Sequence, residues 1–145
     1  MKTLWRSALV PAVLLGSILA GGAADIALPP RPAKSDVDVV KALEQRRTSR
    51  EFAATPLSME DLSAVLWAAN GVNRSDGRRT APTARNRQYI EIYVAGDAGA
   101  WRYDAAGHAL VPVTEAGVKD RMGQQAHVAA APNVLVLAAD LARVP

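Results

Sequence analysis

Residues 89 to 96 read YIEIYVAG, and their period of two decides the fold. Tyr89, Glu91 and Tyr93 alternate with Ile90, Ile92 and Val94. Successive side chains of a strand point to opposite faces, so the stretch predicts a strand with one apolar face. Such a face needs a covering layer. Upstream, residues 58 to 71, SMEDLSAVLWAANG, supply one. Ser58 is a natural N-cap, and Glu60 and Asp61 fall in the first turn, where carboxylates suit the helix dipole. Met59, Leu62, Leu66 and Ala69 recur at helical spacing, Trp67 lies on the apolar side, and Gly71 offers a stop.

Working outward, AWRYD, the turn AAGH and ALVPV read as a hairpin, with Trp101 and Tyr103 packing across it. Thr114 to His127 predicts a weaker helix. NVLVLAAD, after Pro132, reads as a buried strand, followed only by Asp140 to Pro145. Before the long helix, Asp36 to Arg46 predicts a helix capped by Ser35 or Asp36, with Val37, Val39, Val40 and Leu43 on one face. Phe52 to Leu57 is a short extended connection. The order helix, helix, strand, hairpin, helix, strand is α+β, in a chain long enough for one domain.

The first 24 residues read as a signal peptide: Lys2 and Arg6, then an apolar stretch, then small residues at Gly22 and Ala24. Leu9 to Ala20 is too short to span a bilayer comfortably, and Pro11 and Gly16 interrupt it. A cleaved protein exported to the periplasm is expected, with no stable membrane anchor. Residues 25 to 35, with three prolines, are an extended leader, and 36 to 145 form the domain.

The 145-residue chain has 17 Lys and Arg against 14 Asp and Glu, but Lys2 and Arg6 lie in the signal. The remainder is nearly neutral, which argues against a nucleic-acid partner. The absence of cysteine excludes disulfides, thiolate metal sites and a cysteine nucleophile. Two histidines without ligand spacing make a metal centre an unsuitable reading, and His108, beside the hairpin turn, reads as a surface residue. His127 reads as a helix cap or a partly buried packer.

Charge is nonetheless concentrated. Arg46 to Arg87 holds eight arginines, opposed by Glu51, Glu60, Asp61 and Asp76. Within it, RRTSR, Arg46 to Arg50, follows a helix and offers guanidinium forks and hydroxyls, the groups that bind phosphate. Arginines at a helix end also simply suit the dipole. A second stretch, RRTAPTARNRQ, has Pro82 and small or hydroxyl residues fit for a tight loop before the strand. Its backbone N–H groups, Thr83 and Asn86 can satisfy the edge of a polar planar ligand. Read alone, it is equally a surface loop.

Taken together, LEQRRTSREF, LSMEDLSAVLWAANGVNR, RTAPTARNRQYIEIYV, WRYDAAGHALVPV and APNVLVLAAD resemble the nitroreductase family, over roughly Lys41 to Asp140. The likeness is greatest to the branch that includes thiazole- and oxazole-forming dehydrogenases. The resemblance implies a dimeric α+β fold with FMN at the subunit interface. It implies that Arg46 and Thr48 reach the FMN phosphate and ribityl chain, and that Arg50 lies near the isoalloxazine ring. It implies that Pro82, Thr83, Ala84 and Asn86 line the flavin. A cation or amide donor beside the ring stabilises the negative charge that hydride transfer leaves there, so no catalytic acid–base residue is expected. The implied reaction passes electrons from a donor such as NAD(P)H to a small electrophilic acceptor, nitroaromatic or quinone-like. Oxidation of a heterocycle in a peptide is the alternative reaction.

Arg85 stands where the family usually has a small residue, often glycine, and Tyr89 where proline is common. The family's domain continues beyond the last strand, so a truncated product is also expected. Its other-class alternative is a non-catalytic remnant or partner-binding protein without flavin.

Overall fold

The computed structural model describes residues 23–31 and 36–144. The predicted signal falls outside the described residues, except for Ala23 and Ala24. The fold is α+β, an antiparallel sheet flanked by helices. The strands are β1 (Ile26–Ala27), β2 (Ile90–Gly96), β3 (Gly99–Asp104), β4 (Ala109–Thr114) and β5 (Val134–Ala139), in the spatial order β1-β4-β3-β2-β5. The helices are α1 (Val39–Gln45), α2 (Met59–Asn70) and α3 (Ala126–Ala130).

The register explains the core. Ile92 faces Leu137 across β2 and β5, Val94 faces Leu135 and Trp101, and Tyr103 faces Leu110. Directly opposed residues of antiparallel strands share a face. Ile92, Val94, Tyr103 and Leu110 therefore make one apolar surface, on which Leu62 and Leu66 of α2 pack with Leu28 and Ala105. Leu66 has no exposed surface, a burial that contributes roughly 1.5–3 kcal/mol. The expected strand, hairpin and capped helix are thus present. The Ser58 hydroxyl accepts the Asp61 N–H at 3.0 Å, and Gly71 closes α2 by donating to Trp67 O at 2.7 Å. A side chain at Gly71 would collide with the Trp67 indole, so close packing rather than backbone conformation requires glycine there.

Several expectations are corrected. Met59 and Ala69 lie exposed, while Ser63 and Asn70 are buried. These two can be buried because each finds a carbonyl: Ser63 Oγ donates to Pro29 O at 2.6 Å, and Asn70 Nδ2 to Ile90 O at 2.9 Å. The described part of the leader, residues 25–31, is built into the sheet. Ile26 and Ala27 pair with Leu110 and Ala109, and Leu28 enters the core. Residues 114–127 are not one helix: Thr114 ends β4, a 3-10 turn spans Lys119–Arg121, and α3 begins only at Ala126. Among the described residues β5 pairs with β2 alone, at the edge of the sheet, and Leu137 is 66% exposed, so it is not the buried strand its composition suggested. α1 begins later than expected, capped by Asp38, whose carboxylate accepts from Val40 and Lys41 N–H. None of its residues is buried; its apolar stripe of Val39, Val40 and Leu43 faces outward with Val37.

Candidate functional site

The chain leaving α2 is folded back tightly. Val72 and Arg79 form an isolated antiparallel bridge, Asn73 N–H donates to Arg78 O at 3.1 Å, and Gly77 N–H to Arg74 O at 3.1 Å. Gly77 sits in the left-handed region at φ 77°, where glycine is unstrained. Asp76 and Arg78 form an ion pair within the turn. Thr80 then ties the loop to α2: its N–H donates to Gly71 O at 2.9 Å and its hydroxyl to Trp67 O at 3.1 Å.

The next residues hold one another. Thr83 Oγ1 accepts the Gln88 N–H at 3.0 Å, and Gln88 Nε2 donates to Gly77 O at 3.0 Å and Asn86 Oδ1 at 3.2 Å. Arg85, Asn86 and Gln88 have φ of 53°, 55° and 49°. Left-handed backbone costs a side-chain-bearing residue roughly 1–2 kcal/mol, least for asparagine. Arg85 thus occupies a conformation that favours glycine. Strain of this kind, held by a surrounding network, is a mark of binding sites.

This loop borders a recess of about 530 Å³ lined by Arg74, Arg78, Arg79 and Arg85, with Pro82, Thr83 and Asn86. Pro82, Ala84 and Asn86 are exposed and Thr83 is half-buried. Arg79 is half-buried too, although the segment containing it was expected to be an exposed loop. Its Nε is buried, with no hydrogen-bond partner among the described residues. Burial, then the Arg143 guanidinium, lower its pKa, opposed by Tyr103, Asp104 and Glu91; arginine nonetheless stays a cation.

The other predicted segment stands apart. Arg46 caps α1, donating its N–H to Leu43 O at 3.3 Å, and Arg46, Thr48 and Arg50 are all exposed. Just beyond, Phe52 and Leu57 border an apolar recess with Pro132 and Asn133, and Leu57 N–H donates to Asn133 Oδ1 at 3.0 Å. That is the starting end of both α2 and β5. The loop lies at their finishing end, where Asn70 reaches Ile90 and Asp140 N–H donates to Tyr89 O at 2.8 Å. The 12-residue α2 alone rises about 18 Å between them. One chain brings Pro82, Thr83, Ala84 and Asn86 together, but not with Arg46, Thr48 and Arg50.

A further polar cluster was not foreseen. His108 is half-buried, with Nε2 2.8 Å from Ser63 Oγ and 3.0 Å from Pro29 O, and Nδ1 3.0 Å from the Tyr103 hydroxyl. Pro29 O can only accept, so the proton belongs on Nε2 and the Tyr103 hydroxyl donates to Nδ1. The cluster clamps the leader to α2 and the hairpin. Its signal in the sequence was slight: a helical serine facing a core, and a histidine at a turn. His127, expected to pack, lies half-buried with its ring centroid 6.5 Å from that of Phe52. Trp67 is half-buried, with the Arg31 guanidinium 4.3 Å from its ring centroid.

Residues 43–144 match the family model described as the nitroreductase family. The chain is similar to "Putative nitroreductase MJ1384" of Methanocaldococcus jannaschii, with 31% identity over 74% of this chain and 61% of that one. It is similar also to a crystal structure from Ralstonia eutropha JMP134 bearing the same provisional name. There the TM-score is 0.76 and the identity 40%, over 82% of this chain and 57% of the other. The chain thus spans about three fifths of the length of these relatives.

Proposed function

The chain belongs to the nitroreductase family, and from that membership we propose that it is an FMN-dependent oxidoreductase whose flavin site is shared between two copies. The observation that carries this reading is the strained, mutually bonded loop Thr83–Gln88 beside a cationic recess. The residues fit the group. The loop offers a flat polar edge, and Arg46 to Arg50 offer forks for a phosphate. Arg46, Thr48 and Arg50 line no part of the loop's recess, and the chain after them enters α2 at the end away from the loop, so a second copy is the economical way to put both on one flavin. The exposed apolar stripe of α1 and exposed Leu137 on β5 leave surface for that copy.

Bound FMN supplies a ring that accepts electrons from a donor such as NAD(P)H and yields them to an electrophile, nitroaromatic or quinone-like. Arg46 and Thr48 hold the phosphate and ribityl chain. Arg50 sets a cation near the ring, where negative charge accumulates. Pro82, Thr83, Ala84 and Asn86 would line the ring. The signal pattern at Met1 to Ala24 supports the periplasm as the setting of this activity. FMN titration of the purified chain, followed by visible absorbance, tests the reading. A bound-flavin spectrum that bleaches with dithionite is expected; a folded chain that takes up no FMN would contradict it.

A further inference from the structure

The arginine recess holds more cation than a flavin ring requires. Arg74, Arg79 and Arg85 join Arg78 around one space, and they come from two sides of the closed loop. Nearby carboxylates are engaged elsewhere. Asp76 takes Arg78, Glu91 accepts from Tyr93 at 2.9 Å and lies 3.8 Å from Arg143, and Asp104 caps the hairpin turn through Ala106 and Gly107 N–H. Arg79 Nε remains a buried donor with no acceptor among the described residues. Such a donor costs free energy unless something accepts from it. The Thr83 hydroxyl accepts from Gln88, and its own proton has no acceptor among the described residues. Arg85 retains a guanidinium at a backbone position that favours glycine.

We infer that this recess is a subsite for an anionic group, a carboxylate, on the acceptor that is reduced. The inference rests on the flavin reading above and narrows its acceptor class. A planar carboxylate accepts bidentately from the two terminal nitrogens of a guanidinium; Arg79 lines the recess, while its Nε, covered by protein, stays out of that contact. Arg79 is the anchor, Arg85 and Arg74 supply field from the rim, and the Thr83 hydroxyl is an oriented donor. The acceptor's reducible end then lies toward Pro82 and Asn86, where the flavin edge is placed. A neutral acceptor of the same shape would leave the arginines unsatisfied.

Isothermal titration of the full chain with 4-nitrobenzoate and with its neutral counterpart 4-nitrobenzamide tests this, with FMN affinity measured separately. The carboxylate is expected to bind at least about tenfold tighter. Arg79→Gln should remove that preference while leaving the amide and FMN affinities unchanged. Exposed Arg85→Gln should reduce the preference without any risk to the core. Equal affinity for acid and amide would overturn the subsite while leaving the flavin reading intact. Loss of FMN binding in both variants would also overturn it, assigning the arginines to the cofactor's own phosphate. Absence of FMN binding in the unaltered chain would sink the flavin reading, and the acid-over-amide preference would still report on the recess.

Discussion

The segment that leads along the chain toward the start of α2 carries Arg46, Thr48 and Arg50, all exposed, beyond a helix that buries none of its residues. At the other end, Thr83, Asn86 and Gln88 hold one another in place, and Arg79 is half-buried beneath them. Both are rich in arginine, and both looked alike as sequence. The difference lies in preorganisation. The loop is rigidified within its own chain, whereas the Arg46 segment has its cations but no scaffold. A site made from both gains its precision from the loop and its charge from a segment that a second copy must position.

The largest expected effect lies at the rigid end. Gly71→Ala drives a methyl group into the Trp67 indole and should cost about 3 kcal/mol in urea denaturation. Leu43→Ala, on exposed α1, should cost under about 0.5 kcal/mol in a dilute, monomeric sample. Comparable losses from the two would erase the contrast.

Next comes a pH effect beside the same loop. Burial pushes the Tyr103 hydroxyl up to about 12. The fold therefore favours the neutral phenol. Its stabilisation is complete below the ordinary phenol value near 10 and is lost as pH rises through about 12. The loss should amount to roughly 2–3 kcal/mol, and Tyr103→Phe should remove it from a pH series of denaturation midpoints. An unchanged alkaline fall in that variant would place the titration elsewhere.

At the open end, Arg46→Ala should weaken FMN binding by about 1.5–3 kcal/mol, the worth of a charge-assisted phosphate contact. Its denaturation midpoint without FMN should not move, because Arg46 is exposed. Flavin affinity equal to that of the unaltered chain would remove Arg46 from the site. The smallest effect is Arg85→Gly. Relief of the left-handed backbone should stabilise the chain by up to about 1 kcal/mol, read as a small rise in melting temperature. Destabilisation would mean that the guanidinium contributes more than its backbone conformation costs.

Local patterns carried much of this structure into the sequence. The alternation of Tyr89 to Val94 announced β2 and its buried face, and Ser58 and Gly71 marked both ends of α2, because strand period and helix caps are short-range signals. Long-range choices were not legible. Ser63 is buried because Pro29 lies 34 residues away to accept from it. Leu137 looks like a core residue, yet it sits on an edge strand, which composition does not encode. Of the candidate site, the residue types were readable in both arginine-rich stretches. That the two do not meet in one recess was not, since it depends on how Asn133 and Ile90, distant in sequence, anchor the two ends of α2. Arg79 was hidden among exposed-looking neighbours, and its bridge to Val72 is a pairing that local pattern does not announce.

A complementation test reaches the central claim of a shared site most directly. Arg46→Glu would repel the phosphate, and Ala84→Trp would block the exposed loop with bulk; each variant alone should bind no FMN. If each site draws Arg46 from one copy and Ala84 from the other, mixing the two variants should restore FMN binding to about a quarter of the sites, the statistical yield of one intact site in each mixed dimer. No recovery, from variants that exchange subunits and an unaltered chain that binds FMN, would contradict the account and place both segments on one flavin within a single chain.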